Sequence, residues 1–262
     1  MTSQLRMSVV AMLGLAVISC GDATGPFTVD TAWTGTIAQG DAIEIKGING
    51  DIIADVTASN SVTVTFSKEG NNSDPAEVEI EVITHSGGVT ICAVYPSVPG
   101  QPANDCAPGG GGHMDTQDND VEVTFWVSLP AGVDLIGNTV NGSVNGTNLN
   151  SNAFANTVNG NVQISTSQIA SGFTVNGSIN TAIGLSDWDR DLNFATVNGD
   201  VSIQVPTGTN ADVRLTNVNG SIYTDMSLTT VSPGDIRGTL GTGGRTLFIS
   251  TVNGNLELDS GS

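Results

Sequence analysis

Three carboxylates occupy alternate residues in the segment Asp187–Asp191, which reads DWDRD. In an extended chain, alternate side chains point to the same face. Grouped there, these acids would suit a Ca²⁺ site or the paired acids of a polysaccharide-cleaving β-helix enzyme. The same spacing also fits a solvated strand face, or a turn between strands with Trp188 packed inward. The segment is therefore a candidate site with a purely structural alternative.

A second acidic segment, His113–Asp120 (HMDTQDND), resembles a calcium-binding loop in composition. It lacks the central glycine and the closing glutamate that such loops use. His85 and His113 are the only histidines in the chain, and neither accompanies the sequence motif of a catalytic nucleophile. We therefore expect no catalytic residue, no metal ion and no cofactor.

The charge of the chain excludes one class of partner. Its 262 residues include 26 acidic and 7 basic side chains, a formal net charge of −19. Such a surface repels phosphate backbones, so we expect no nucleic-acid partner. The chain is also rich in glycine (33 residues) and poor in aromatic residues (5%). With its many β-branched residues, this composition favours an all-β protein.

The first twenty residues contain, in order, the parts of an exported lipoprotein. Arg6 precedes the apolar run Met7–Ile18, which ends at Ser19 and Cys20. The run is too short to span a bilayer and is typical of a signal peptide. The segment Val17–Cys20 resembles the bacterial lipoprotein processing box, in which the cysteine is acylated. An ordinary signal peptide with a chance cysteine is the alternative.

We therefore predict a signal peptide over residues 1–19, a lipid on Cys20, and a flexible tether over residues 20–26. The membrane would then be a partner through the lipid. The predicted location is the cell envelope, with the outer membrane or cell surface favoured over the inner membrane.

Two cysteines remain, Cys92 and Cys106, an even pair for an oxidising compartment. A disulfide between them would close a loop of about 15 residues and stabilise the fold by roughly 3 kcal/mol. Two free thiols or a metal pair are the alternatives, although no second Cys or His pair stands at zinc spacing. The bond would staple a polar loop, residues 95–120, inserted in the N-terminal half.

The dipeptide Asn-Gly organises the rest of the chain. It occurs eight times, whereas the composition predicts about three occurrences. Seven copies share the pattern [Val/Ile]-Asn-Gly-x-[Ile/Val/Leu]. Their asparagines, which we predict to be structural corner residues, are Asn49, Asn141, Asn159, Asn176, Asn198, Asn219 and Asn253.

Asn-Gly between apolar runs ordinarily signals a two-residue β-hairpin, but side-chain register argues against hairpins here. A hairpin would place an aliphatic residue opposite a polar one on the same face in all seven copies, for example Val158 opposite Asn161. A bend in a solenoid instead lets the aliphatic residues before and after it both point inward. Stacked rungs about 4.8 Å apart would then align the asparagines in a ladder.

We therefore predict a single elongated parallel β-solenoid (β-helix) over residues 27–259, in which each asparagine lies above the previous one. The gap between Asn49 and Asn141 leaves room for three or four circuits once the inserted loop is removed. Residues 27–33 would cover the open first layer. A sandwich of hairpins is the alternative fold.

Five stretches resemble, in order, the bacterial "putative adhesin" family of β-strand-repeat proteins. They are Ile45–Ile52, Val127–Val133, the Thr-Val-Asn-Gly series, Val205–Val213 and Gly243–Leu256. The resemblance implies a β-solenoid on the cell envelope and brings no catalytic residues. Together with the lipoprotein-like start, the repeated bends and the absence of a catalytic motif, it leads us to predict a non-catalytic structural or interaction module that is adhesin-like. The expected partner is an unknown envelope protein or a glycan. The alternative is a glycan-binding or glycan-cleaving β-helix protein that uses an acidic face.

Overall fold

The computed structural model describes residues 28–261, which form two β-sheets around one hydrophobic core. A single 3₁₀ turn, Pro75–Glu77, is the one helical element of this range. The strands are β1 Asp30–Gly35, β2 Ala42–Lys46, β3 Ile52–Val56, β4 Val62–Glu69, β5 Glu79–His85, β6 Gly88–Val94, β7 Glu122–Leu129, β8 Asp134–Asn138, β9 Val144–Leu149, β10 Ala153–Asn156, β11 Val162–Thr166, β12 Ala170–Phe173, β13 Ile179–Ile183, β14 Leu192–Ala195, β15 Val201–Pro206, β16 Ala211–Asn219, β17 Ile222–Thr224, β18 Thr229–Ser232, β19 Asp235–Leu240, β20 Thr246–Asn253 and β21 Leu256–Gly261.

Both sheets are mixed. Sheet 1 has the strand order β1-β4-β7-β3-β9-β11-β13-β15-β21-β17, and sheet 2 has the order β18-β19-β16-β20-β14-β12-β10-β8-β2-β6-β5. Their middle strands pair parallel, and antiparallel strands lie at the N-terminal end of sheet 1 and at both ends of sheet 2. The all-β prediction is confirmed, but a single parallel solenoid is not. Antiparallel strands need only short turns, so they cover the end of a stack without a further full circuit.

Each central circuit leaves sheet 2 at an Asn-Gly step and continues in sheet 1. For example, β10 of sheet 2 precedes Asn159 and β11 of sheet 1 follows it. Successive asparagines bridge in parallel, so the steps are bends between sheets, as the register predicts, and not hairpin tips. The aliphatic residues that flank the bends at alternate positions fill the core, and Leu192, Phe194 and Val201 are at most 1% exposed. Burial of each such side chain stabilises the fold by about 1.5–3 kcal/mol.

The prediction of three or four circuits between Asn49 and Asn141 is wrong. The rung β2/β3 pairs directly with the rung β8/β9. The intervening chain lies on the opposite side of β2/β3, where β6 and β7 add one further rung and β4 and β5 pair with it antiparallel. Strand β1 then forms the edge of sheet 1, which agrees with the covering role expected for residues 27–33.

The order of the last two rungs also differs from the prediction. Strand β20 lies between β14 and β16, and β21 lies between β15 and β17. The asparagine row therefore runs from Asn198 to Asn253 and only then to Asn219. The free edge of β16 is occupied by the antiparallel strand β19. Strands β18 and β19, which pair antiparallel with each other, therefore form the end of sheet 2, and β20 lies on the inner side of β16.

Candidate functional site

The row of Asn-Gly bends, called here the first corner, carries a continuous ladder of side-chain amides. Starting from Asn141, the second asparagine of the stack, each Nδ2 donates to the Oδ1 of the asparagine before it in the stack over 2.8–2.9 Å. Such a bond contributes about 0.5–1.5 kcal/mol net. The ladder joins Asn49, Asn141, Asn159, Asn176, Asn198, Asn253 and Asn219 in that order.

Glycine follows each asparagine because neighbouring bends approach too closely for a side chain. A Cβ atom on Gly160 would lie 2.0 Å from the carbonyl oxygen of Gly142, and one on Gly177 would lie 1.9 Å from that of Gly160. These distances are far inside van der Waals contact. Close backbone approach is a recognised reason for glycine within a sheet.

A second ladder, of buried threonines, was missed by the sequence analysis. The threonine two residues before the asparagine is at most 5% exposed in five repeats. Its Oγ1 donates to the carbonyl oxygen of the bend glycine in the adjacent rung over 2.7–3.0 Å. These residues are Thr139, Thr157, Thr174, Thr196 and Thr251. The recurrence of Thr-Val-Asn-Gly was the signal that would have revealed them.

The expectation that aliphatic residues on both sides of the bend point inward holds for Ile48, which is 5% exposed, but is wrong for several of the valines that precede a bend. Val140 and Val158 are 37% and 36% exposed, and Val218 is 72% exposed. Consecutive residues of an extended chain point to opposite faces. Because the threonines before Val140 and Val158 point inward, these two valines must face the solvent.

A disulfide and a lysine hold the inserted loop against the outer face of sheet 2. The Sγ atoms of Cys92 and Cys106 lie 1.97 Å apart. The Nζ of Lys46 donates to three loop carbonyls, those of Ala107, Gly109 and Gly111, over 2.5–3.1 Å. The ammonium group therefore occupies the centre of the loop and fixes its path.

Glu44 shares this buried position, 3.8 Å from the Nζ of Lys46. Its carboxylate accepts hydrogen bonds from the N–H of Gly109 and the hydroxyl of Thr90 over 2.9 and 2.8 Å. Breaking a buried ion pair by removing one partner typically costs about 3–5 kcal/mol. We interpret the pair as a support of the loop, because the ammonium group and the carboxylate both bind backbone groups of the loop.

In the segment His113–Asp120, Asp120 has a structural role. Asp120 accepts backbone N–H bonds from Ser73 and Asn72 over 2.9 and 3.0 Å, and these bonds lower its pKa to about 2. The carboxylate therefore anchors a neighbouring turn. His85 ends β5, and its Nε2 lies 3.1 Å from the hydroxyl oxygen of Thr90.

The segment Asp187–Asp191 lies at the opposite edge of the stack, called here the second corner, where chains return from sheet 1 to sheet 2. It forms an irregular loop and not a strand, so its carboxylates do not share one strand face. Trp188 is packed inward, at 6% exposure, which confirms the structural alternative for this residue. Asp191 accepts the N–H of Thr246 over 2.9 Å and anchors the loop to β20.

An open groove of about 480 Å³ runs beside this loop, with Asp187, Trp188 and Asp189 among its lining residues. The guanidinium of Arg190 lies 5.5 Å from the ring centre of Phe154 and 3.5 Å, at its Nε, from a carboxylate oxygen of Asp189. The groove therefore combines aromatic, amide and charged groups in one place.

Asp134 lies next to the groove residue Asn152, whose side-chain amide donates to it over 3.0 Å. Burial raises the pKa of this carboxyl, and the hydrogen bonds from Asn152 oppose the increase.

Within residues 28–261, no group of three His, Cys, Asp or Glu side chains is placed to hold a metal ion. The same range contains no helix that is long and apolar enough to cross a membrane. Cys20, the predicted lipid site, lies outside the described residues.

Comparison with known proteins gave similarity in structure alone. No family model and no curated protein matches the chain. A "putative cell adhesion protein" from Clostridium sporogenes is similar over 90% of this chain and all of its own, with 7% identity and a TM-score of 0.48. A "putative adhesin" from Bacteroides fragilis covers 88% of this chain and is itself covered to 97%, with 9% identity and a TM-score of 0.35. These values assign no ligand and no partner to this chain.

Proposed function

We propose that this protein is a lipid-anchored, non-catalytic interaction module of the bacterial cell envelope, with an adhesin-like role. The main support for the proposal is that the repeated polar residues form hydrogen bonds within the stack. The asparagines bond to one another, and the buried threonines bond to the bend glycines of the next rung. The most frequent functional groups of the repeat therefore hold the stack together. The outer faces of the sheets and the second corner are therefore the surfaces that remain available for binding a partner.

The disulfide supports the proposal that the protein is exported. Cys92 and Cys106 are bonded and largely buried, and structural disulfides persist in oxidising compartments. The lipoprotein-like segment Val17–Cys20 and the short polar tether after it precede the first strand at Asp30. Two or three acyl chains would anchor such a protein firmly without help from its acidic surface.

The enzymatic alternative requires a general acid near a second carboxylate. In the segment first considered for this role, Asp187 and Asp189 are exposed and Asp191 is engaged by the backbone of Thr246. The general acid of such an enzyme lies in a pocket shielded from water, and neither Asp187 nor Asp189 is shielded. This arrangement favours binding over cleavage.

Membrane fractionation tests the anchor. We expect the native chain in the membrane fraction, released by detergent and not by high salt, and the Cys20→Ala variant outside it. A matched control is Cys106→Ala, which removes a cysteine from the folded domain and leaves Cys20 in place. Equal membrane retention of the native and Cys20→Ala proteins would contradict lipid anchoring.

Protease treatment of intact cells tests the location. We propose the outer membrane or the cell surface, so an added protease should remove the domain from unbroken cells. Complete protection in unbroken cells, with cleavage after lysis, would place the domain inside the envelope instead.

A further inference from the structure

The groove at the second corner arises from one enlarged turn. Three residues join β9 to β10, and three join β11 to β12. Eight residues, 184–191, join β13 to β14. The additional residues extend beyond the neighbouring turns, and the groove includes Asn152 and Gln168 from those turns. A concave surface thus forms on an otherwise tightly wound edge.

The groove offers apolar surface beside hydrogen-bonding groups. Leu185 is 36% exposed, and Ile169 lies under the same surface. The carboxylates of Asp187 and Asp189 are exposed at its rim, and the amide of Gln168 belongs to its lining. Ligand sites typically combine an apolar lining with a few polar groups that fix orientation.

Trp188 gives a second, independent reason to expect a ligand. The side chain lines the groove at 6% exposure, and its Nε1–H has no hydrogen-bond acceptor in the described part of the chain. A buried donor without a partner costs about 1–3 kcal/mol. Buried polar groups are nearly always paired, and because Trp188 also lines the groove, a ligand bound there could supply the acceptor that the described residues do not.

Arg190 is fixed at the same place. Its guanidinium lies over the ring of Phe154 and beside the carboxylate of Asp189. The cation–π contact and the ion pair restrict its rotamers, so less entropy is lost when its remaining N–H groups bind a ligand. Arg190 therefore presents oriented donors next to the acceptors of the two aspartates.

We propose that this groove binds an uncharged glycan segment, an inference that rests on the proposed function as an envelope interaction module. Neighbouring hydroxyls of a pyranose would donate to the carboxylates of Asp187 and Asp189 and accept from Arg190. The C–H face of the ring would pack against the exposed side chain of Leu185, beside the largely buried Trp188. A net charge of −19 repels anionic chains, so uronic-acid polymers are disfavoured.

Titration of the full chain in detergent with three oligosaccharides of equal length tests this inference. The probes are cellohexaose, chitohexaose and hexagalacturonic acid, and the readouts are calorimetry and tryptophan fluorescence. We expect binding of at least one uncharged probe, with a change in tryptophan emission, and weaker or undetectable binding of the anionic probe. Failure of both uncharged probes to bind, or preference for hexagalacturonic acid, would overturn the proposal.

Variants locate the site. The pair Asp187→Asn and Asp189→Asn weakens acceptors at exposed positions, so the fold should persist and affinity should fall by about tenfold or more. The matched control is the pair Asp225→Asn and Glu257→Gln, which removes equal charge from the bend after β17 and from β21 of sheet 1. Equal loss in both pairs, or no loss in the first, would contradict a site in the groove. Membrane retention is expected to depend on Cys20 and not on these four residues. The fractionation experiment and the oligosaccharide titration can therefore fail independently of each other.

Discussion

The two corners of the stack follow opposite rules. At the first corner, seven rungs repeat one bend. Glycine is required because an added Cβ atom would lie about 2 Å from the backbone of the neighbouring bend, and asparagine is required because its side-chain amide forms the ladder. At the second corner, turns of three to eight residues join the same two sheets. One edge of the fold therefore maintains the register, while the other is free to vary. We expect recognition at the variable edge.

The largest effect should come from a side chain at a first-corner glycine. Gly160→Ala would place a Cβ atom 2.0 Å from a carbonyl oxygen, so rungs must separate, and we expect a loss of about 3–5 kcal/mol in the free energy of unfolding. Gly110→Ala is the control, because its Cβ would meet nothing within 4 Å. Urea unfolding measures both variants. Equal stability of the two would contradict the close approach of the bends.

A smaller loss should follow from removing one threonine hydroxyl. Thr174→Val keeps the shape but deletes the bond from Oγ1 to the carbonyl of Gly160, 2.8 Å long, and should cost about 1–2 kcal/mol. Thr181 is equally buried, but its hydroxyl has no partner in residues 28–261. Thr181→Val should therefore be neutral or stabilising in thermal unfolding. The reverse order would exclude the threonine ladder as a source of stability.

The Asn219 end of the amide ladder should differ chemically from its middle. Asn-Gly steps deamidate when the glycine nitrogen attacks the asparagine side chain and releases ammonia. The N–H of Gly177 is bound to Asn198, whereas no rung lies beyond Asn219 among the described strands. Peptide mapping after incubation at mildly alkaline pH should find conversion of Asn219 before that of Asn176. Conversion of Asn176 first would show that the ladder gives no protection.

The smallest change in stability should come from the groove. The pair Asp187→Asn and Asp189→Asn alters exposed side chains of the variable corner, so the free energy of unfolding should change by less than about 0.5 kcal/mol. Urea unfolding beside the binding titration measures this. A loss of stability as large as that of Thr174→Val would show that the second corner also holds the stack together.

The sequence predicted the bends because the repeated motif has a side-chain register that hairpins cannot satisfy. It did not predict the outward-facing valines such as Val158, because the inward threonine before them was not taken into account. The position of the last rung was unpredictable for a physical reason. The bends at Asn219 and Asn253 present the same edge to Asn198, so local pattern does not determine which one pairs there.

The candidate site was predicted in part. The segment Asp187–Asp191 and the inward packing of Trp188 were among the possibilities read from the sequence. The groove itself depends on turns far apart in the chain, at Asn152 and Gln168, and on the enlarged connection between β13 and β14. The cage of carbonyls around Lys46 likewise depends on a loop about sixty residues later in the chain, which no local pattern indicates.

Disulfide cross-linking on the outer face of sheet 2 tests the central claim, that Asn-Gly steps are bends of parallel rungs with the C-terminal rung inserted. Ala195 is in register with Ser250, and Ser250 with Thr216. Cysteines at 195 and 250, or at 250 and 216, should cross-link on oxidation, because adjacent strands lie about 4.8 Å apart. Cysteines at 195 and 216 should not, because two strand spacings exceed the roughly 7 Å limit between Cα atoms. Efficient 195–216 cross-linking without 195–250 cross-linking would contradict the account.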